Sequence, residues 1–261
     1  MSTLQPFKVY AIRYATVARH SAENFIGGDP HESGMDMDYF VWAAVSRDKT
    51  YVIDTGFNAA AAERRKRQFL RCPTVGLKQL GIEPGKVEDL IVTHLHYDHI
   101  GNFDLFPNAR FHLQDAEMAY ATGRYMSRRF FSAAYEVDEV VAMVRNVYAG
   151  RVQFHNGDVQ LAPNISLHLI GGHTKGLQAV RLWTEKGWLV LASDASHYLA
   201  NMKEGRPFPL VADGAAMAYG WDKLRSLVDD PARIIPGHDP AVMTLFPAPD
   251  AAMAGVVVRL D

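Results

Sequence analysis

Residues 90–102, LIVTHLHYDHIGN, constrain this chain more than any other segment. A short apolar run, Leu90, Ile91 and Val92, reads as the end of a buried strand. His94, His96, Asp98 and His99 follow at once, then Gly101 and Asn102. Four short chelating side chains this close cannot all face one way along a strand, where successive side chains alternate. A loop turning into a helix lets His94 and His96 reach one point and Asp98 and His99 a second. Imidazole and carboxylate at this spacing suit zinc or another divalent first-row metal. At this composition H-x-H-x-D-H arises by chance on the order of once in a thousand such chains, so a His-rich surface loop is the weaker reading.

Composition narrows the partners. The 261 residues carry a formal net charge of −2, which makes no electrostatic case for nucleic acid or an anionic membrane. A small-molecule substrate is the expected partner, with a homodimer left open. The single cysteine, Cys72, excludes an intrachain disulfide framework and suits a reducing cytoplasm. The first residues lack the basic start and continuous apolar block of a signal peptide, and no apolar run approaches the length of a bilayer span. A cytoplasmic location is expected.

Along the chain, residues 7–16 alternate as a first strand. Residues 17–37 have the Gly, Pro, Asp and Ser of a long irregular loop, long enough to serve as a lid. His20 and His31 in it are expected to be solvated. Residues 38–46 and 49–56 read as paired strands, and 58–71 as a helix ended by Pro73. The run Arg64-Arg65-Lys66-Arg67 on that helix invites an anion-binding reading, but a solvated face is the stronger expectation. A short helix from Val75 closes at Gly81. Residues 109–114 form a strand carrying His112, and 115–149 carry two helical patterns. In the first of these, Glu117, Met118, Tyr120, Tyr125, Met126, Phe130, Phe131 and Tyr135 read chiefly as core, with some free to wall a pocket. Residues 151–161 and 165–170 read as antiparallel strands around Asn156-Gly157, with His155 and His168 as packing or surface residues. A hairpin over 178–193, a helix near 214–228, a strand at 232–236 and an edge strand in GVVVRLD complete the chain.

YVIDTGF (51–57) precedes the central segment, and GGHTKG (171–176), LVLASDAS (189–196) and IIPGHDP (234–240) follow it in order. With them the chain resembles the metallo-β-lactamase fold superfamily over roughly residues 40–240. Its length, THLHYDHIGN and SDAS look most like the N-acyl homoserine lactonase group within it. The resemblance implies an α/β fold, a four-layer αββα sandwich of two similar halves, with residues 1–261 as one domain. YVIDTG and LVLASDA echo each other across those halves, each bringing an Asp to the end of an apolar strand.

The resemblance also implies two divalent metal ions, zinc foremost. His94, His96 and His173 would hold one, Asp98, His99 and His238 the other, and Asp194 would bridge them. Gly171-Gly172 and Pro236-Gly237 ahead of His173 and His238 let backbone approach closely there. Asp54 is a candidate to accept a proton from a ligand imidazole, with strand capping nearly as good a reading. The implied reaction is the opening of a small cyclic ester, a lactone, by a hydroxide shared between the metals, since a bound cation lowers the pKa of water from 15.7 to about 7. No serine or cysteine nucleophile is required.

At one place the chain departs from the lactonase pattern. A tyrosine three residues after the bridging aspartate there hydrogen-bonds the reacting carbonyl or the leaving oxygen. Here that position is His197, with Tyr198 one step on. His197 is the first candidate for the donor, Tyr198 by a small loop shift the second, and a site that uses neither the third. The alternatives to lactone opening are hydrolysis of another ester, a cyclic amide or a phosphodiester, an iron-dependent oxidoreductase on the same fold, and an inactive binding module.

Overall fold

The computed structural model describes residues 4–29 and 31–261. Its first half runs β1 (Lys8–Val17), β2 (Met37–Val45), β3 (Thr50–Ile53), α1 (Ala59–Arg65), β4 (Gln68–Phe69), α2 (Pro73–Gln79), β5 (Asp89–Ile91), α3 (Tyr97–Ile100), β6 (Arg110–Gln114), α4 (Asp115–Ala121), α5 (Arg129–Ser132), α6 (Val137–Tyr148) and β7 (Val152–His155). The second half runs β8 (Val159–Ala162), β9 (Ile165–Leu169), β10 (Gln178–Thr184), β11 (Gly187–Ser193), α7 (Leu199–Glu204), α8 (Gly214–Ser226), β12 (Ile234–Pro236), α9 (Val242–Leu245) and β13 (Val257–Arg259). No helix among the described residues is long and apolar enough to cross a membrane.

Alternation along the strands dictates the layers. In β2, Phe40, Trp42 and Ala44 enter one core while Tyr39, Val41 and Ala43 enter another. In β11, Leu189 and Leu191 face the first of these and Val190 and Ala192 a third. Strands apolar on both faces must be covered on both. The chain meets that demand with two sheets packed face to face, ordered β13-β1-β2-β3-β5-β6-β7 and β12-β11-β10-β9-β8, with β4 added on β1. Ala61 of α1 and Leu77 of α2 cover the outer face of the first sheet, and Met217, Trp221 and Leu224 of α8 that of the second. The result is the αββα sandwich, with β13 as an edge strand.

Three local expectations are corrected. The helix expected over 58–71 stops at Arg65, where Lys66 turns left-handed (φ 55°). Gln68 and Phe69 then pair with Thr16 and Ala15, on the part of β1 that β13 does not reach. Those backbone groups need partners, and pairing overrides helix propensity. Pro73 opens α2 as its first residue, where its missing N–H is harmless. Asn156-Gly157 makes no hairpin: β7 pairs with β6 in the first sheet and β8 with β9 in the second. Gln114 pins that crossover, donating from Nε2 to the Gly157 carbonyl and accepting from the Gly157 amide. Residues 115–149 hold three α-helices and a 3-10 turn (Arg124–Ser127), not two helices.

β3 and β5 run parallel, as do β11 and β12, so the loops after them open at one rim of the sandwich. The core between the sheets holds that rim in place. Leu182, fully buried there, is a direct probe. Leu182→Ala is expected to destabilise the protein by about 2–5 kcal/mol, read from the midpoint of denaturant unfolding.

Candidate metal centre

Each ligand-bearing loop leaves its strand by a sharp local device. Asp54, just past β3, sits at φ 59°, and Ser193, at the end of β11, at φ 48°. Left-handed backbone at two non-glycine residues is strained and must be held by its surroundings. Thr93 provides the hold: its amide and hydroxyl donate to Asp54 at 2.7 and 2.8 Å, and its Oγ1 lies 2.9 Å from Ser193 Oγ. Gly172 precedes His173 at φ 84°, where a Cβ would stand 2.5 Å from Met217 Cα. At Gly237, before His238, a Cβ would stand 2.8 Å from the Ser193 carbonyl carbon. Only glycine allows these approaches.

The side chains so delivered fall into two buried groups, His94, His96, His173 and Asp194, and Asp98, His99 and His238. His96 Nδ1 lies 3.0 Å from His94 Nε2 and 2.9 Å from His173 Nε2. Asp194 turns one oxygen to each group. Its Oδ2 is 3.2 Å from His173 Nε2 and 3.8 Å from His94 Nε2, and its Oδ1 is 3.0 Å from His238 Nε2 and 3.4 Å from His99 Nε2. Asp98 Oδ2 is 3.7 Å from His238 Nε2 and 3.8 Å from His99 Nε2.

These positions fit divalent cations. Ligands at about 2.0–2.1 Å in a tetrahedron stand about 3.3 Å apart, the scale observed in both groups. The far nitrogens fix the tautomers: His173 Nδ1 donates to the Leu210 carbonyl at 2.7 Å and His238 Nδ1 to the Asp38 carbonyl at 2.8 Å. His99 Nδ1 meets Asp54 Oδ2 at 2.7 Å, and its buried Nε2 has no partner within the protein. Imidazole nitrogens therefore face carboxylates, an arrangement that a proton or a metal cation between them makes favourable. Electrostatics agree. Burial pushes His94 and His96 well below the usual imidazole value, while at His99 burial is overcome by Asp194, Asp54 and Asp98, which raise it well above. The carboxylates demand positive charge at this point.

A cavity of about 320 Å³ opens over the centre, lined among others by His96, Asp98, Asp194, His197 and His238. His197 Nε2 lies 3.1 Å from Asp194 Oδ2, and the ring stacks on Phe208 (3.8 Å, 6°). Its Nδ1 is buried without a protein partner, and burial pushes its pKa down to about 3 against the pull of Asp194. Asp194, His197 and His238 make a third compact group of metal-binding type. Tyr198 points elsewhere: its hydroxyl donates to the Asp36 carbonyl at 3.1 Å and its ring lies against Phe25 in the core. His20 and His31 are exposed, His112 stacks on His155, and His168 pairs with Asp158; none lines the cavity. Cys72 caps α2 away from the ligands. The arginine run divides: Arg64 and Lys66 are exposed, but Arg65 and Arg67 line the cavity, against the solvated face expected for the whole run.

Glu117, expected among the core residues of α4, has a more specific place. It is fully buried and joins the two loops that hold the first group. Its Oε1 accepts from the Leu95 amide at 2.9 Å and the Tyr135 hydroxyl at 3.1 Å. Its Oε2 accepts from Thr174 Oγ1 at 2.6 Å and the Gly176 amide at 3.1 Å. Leu95 separates His94 from His96 and Thr174 follows His173, so one carboxylate sets all three imidazoles. The available signal was its place on the same helical face as Tyr120 and Ala121, three and four residues on. Glu117→Gln keeps the shape but turns a donor toward donors. It is expected to weaken metal binding by about 10–100-fold, measured by equilibrium dialysis, while the secondary structure stays intact by circular dichroism.

The family profile described as the metallo-beta-lactamase superfamily matches residues 37–238. Among curated proteins the chain is similar to the N-acyl homoserine lactonase AttM of Azorhizobium caulinodans, 29% identical over 180 residues that cover 65% of each. It is also similar to the N-acyl homoserine lactonase AiiB of Agrobacterium fabrum, 31% identical over 174 residues, 59% of this chain and 61% of that one. The chain thus spans less than two thirds of these relatives' length. Among solved structures it superposes on a quorum-quenching N-acyl homoserine lactone lactonase with a TM-score of 0.75 at 22% identity, covering 91% of this chain and 94% of that one. The dizinc quorum-quenching lactonase AidC gives a TM-score of 0.71 at 18% identity, covering 91% and 89%. At such identities the structural likeness carries the fold. With the profile spanning the strands and loops that bring all seven candidate residues to the rim, the chain belongs to the metallo-β-lactamase superfamily.

Proposed function

We propose that this protein is a dinuclear metal-dependent hydrolase that opens a small cyclic ester. The observation that carries the proposal is the convergence of five imidazoles and two carboxylates at the floor of a cavity, with Asp194 offering one oxygen to each group. The curated relatives bear the name N-acyl homoserine lactonase, and the structural neighbour AidC is a dizinc enzyme, which with the nitrogen-rich ligand set favours zinc. Two such cations, held by His94, His96 and His173 and by Asp98, His99 and His238 with Asp194 between, would ionise a water near neutral pH and polarise a carbonyl.

The chain's own residues supply the rest. Asp54 holds His99 in the tautomer that leaves Nε2 free, and Leu210 and Asp38 do the same for His173 and His238. Phe208 fixes the plane of His197. From there an N–H of the neutral His197 would hydrogen-bond the ring oxygen as the C–O bond breaks; that oxygen takes up the electron pair and then the proton that came in with the attacking hydroxide, so the alcohol product stays tethered to the new carboxylate. The 17–37 segment would act as cover, contributing Arg19, Glu23 and Met37 to the wall, and the 115–149 insert adds Ala133 and Ala134. The single cysteine, Cys72, suits a reducing cytoplasm as the compartment.

A hydrolysis screen over acyl and simple lactones, β-lactams and phosphodiesters tests the reaction class. Chelation should abolish turnover and added zinc restore it; activity that survives complete metal removal would end the two-metal reading. Asp98→Ala should cut activity by far more than the roughly 10–100-fold of a change outside the ligands.

His197→Ala should lower kcat by about 10²-fold with metal content unchanged. Loss of a metal equivalent in that variant would make His197 a ligand instead. Tyr198→Phe should leave kcat nearly unaltered and cost about 1 kcal/mol of stability, for the hydrogen bond to Asp36.

A further inference from the structure

Three arginines stand in the wall of the cavity above the metal centre: Arg19, Arg65 and Arg67. Arg65 is engaged in the fold. Its Nε donates to Glu136 at 2.8 Å, its other nitrogens reach the Ala133 and Tyr135 carbonyls, and its guanidinium lies 3.8 Å over the Tyr97 ring. Arg67 is different. Its Nε donates to the Tyr97 hydroxyl at 3.2 Å and its Nη1 to the Arg65 carbonyl at 2.9 Å. Nη2 makes no hydrogen bond, and no carboxylate pairs with Arg67 among the described residues.

Arg19 is in the same condition. It donates to Asn24 Oδ1 and the Glu23 carbonyl, both at 2.7 Å, has no acidic partner among the described residues, and lies 5.2 Å over the Phe208 ring that stacks on His197. Of the carboxylates on the wall, Asp98 and Asp194 belong to the metal centre, and Glu23 accepts the His20 amide. The upper wall is therefore positive, beside a floor that two divalent cations would make more so.

A guanidinium keeps its charge at any working pH, and half-burying it without an ion pair is unfavourable; the one carboxylate whose field reaches Arg67, Asp98, is turned to His99 and His238. Its planar fork matches a carboxylate through two parallel hydrogen bonds. The cavity, about 320 Å³, lies at the small end of ligand sites, which leaves little room for a long chain beside the ring. We propose that the substrate carries a carboxylate of its own, seated on Arg67 with Arg19 at the rim, while the ester lies at the metal centre. This rests on the lactone-opening function and narrows it to a small ring acid, away from lactones with long neutral acyl chains.

The test uses the holoenzyme and two substrates of nearly the same size that differ in charge, γ-butyrolactone-γ-carboxylate and its primary amide. The acid should be preferred about 10–100-fold in kcat/KM, chiefly through KM. Arg67→Met should bring that ratio close to one, Arg67→Lys should retain part of it, and Lys66→Met, on the exposed neighbour, should leave it intact. Equal rates on acid and amide, or a ratio that survives Arg67→Met, overturn the proposal while lactone opening stands.

If neither ring and no lactone of the wider screen is opened, the lactone function falls, and binding decides the anion site by itself. Calorimetry should then show glutarate binding the wild-type holoenzyme about 10–100-fold more tightly than butyrate, with the difference lost in Arg67→Met. Equal affinities for the two acids in the wild type would remove the site altogether.

Discussion

A buried node at Thr93 ties the two halves of this protein together. Its amide and hydroxyl hold Asp54 at the end of β3, its Oγ1 meets Ser193 at the end of β11, and its carbonyl accepts from the Gln178 amide at the start of β10. Thr93, Asp54, Ser193 and Gln178 are fully buried. Each of these hydrogen bonds contributes about 0.5–1.5 kcal/mol net, but leaving any of the groups unpaired costs more, so both sheets are held to one relative register at the rim. The left-handed backbone at Asp54 and Ser193 is tolerated because this node over-determines it. The residues that follow Thr93 and Ser193 in the chain, His94 and Asp194, belong to one buried group of metal-binding type.

Around the centre, polar atoms that would be unfavourable alone are arranged to be favourable together. Four carboxylates, Asp54, Asp98, Glu117 and Asp194, are buried in and beneath the site. Asp54 and Glu117 are satisfied by the protein, through His99 and Thr93 and through Leu95, Tyr135, Thr174 and Gly176. Asp98 and Asp194 instead face imidazole nitrogens whose protons lie on the far side of the ring. The first pair orients the loops that carry the histidines, and the second pair faces the imidazoles without a protein donor of its own to each oxygen. That division explains how one rim can be both rigid and strongly attractive to positive charge.

The wall above has the opposite character. Phe208, Leu210, Met37 and the rings of Tyr39 and Tyr97 make it largely apolar, with Arg19 and Arg67 as isolated charges set into it. A guanidinium in such a wall is screened less than one on the surface.

Much of the centre was legible in the chain itself. His94, His96, Asp98 and His99 lie within six residues behind an apolar strand, and the family resemblance implied that His173, Asp194 and His238, each after a strand and a tight turn, converge with them. The layers came from the family resemblance, and the structure adds the physical reason, since β2 and β11 are buried on both faces and must be covered on both. Tertiary structure alone decided the rest. Gln68 and Phe69 left their helix because an open stretch of β1 needed partners, and Asn156-Gly157 became a crossover because Gln114 captured the glycine. Glu117 looks like any acidic residue on a short helix until the loops of His94 and His173 close over it. Tyr198 was drawn into the core by Phe25 and the Asp36 carbonyl, leaving His197 at the cavity. Arg67 turned inward because Lys66 took a left-handed turn. Ligand spacing and face alternation are local properties carried by neighbouring residues, whereas pairing partners, burial of a lone charge and the direction of a side chain depend on atoms that only the folded chain brings near.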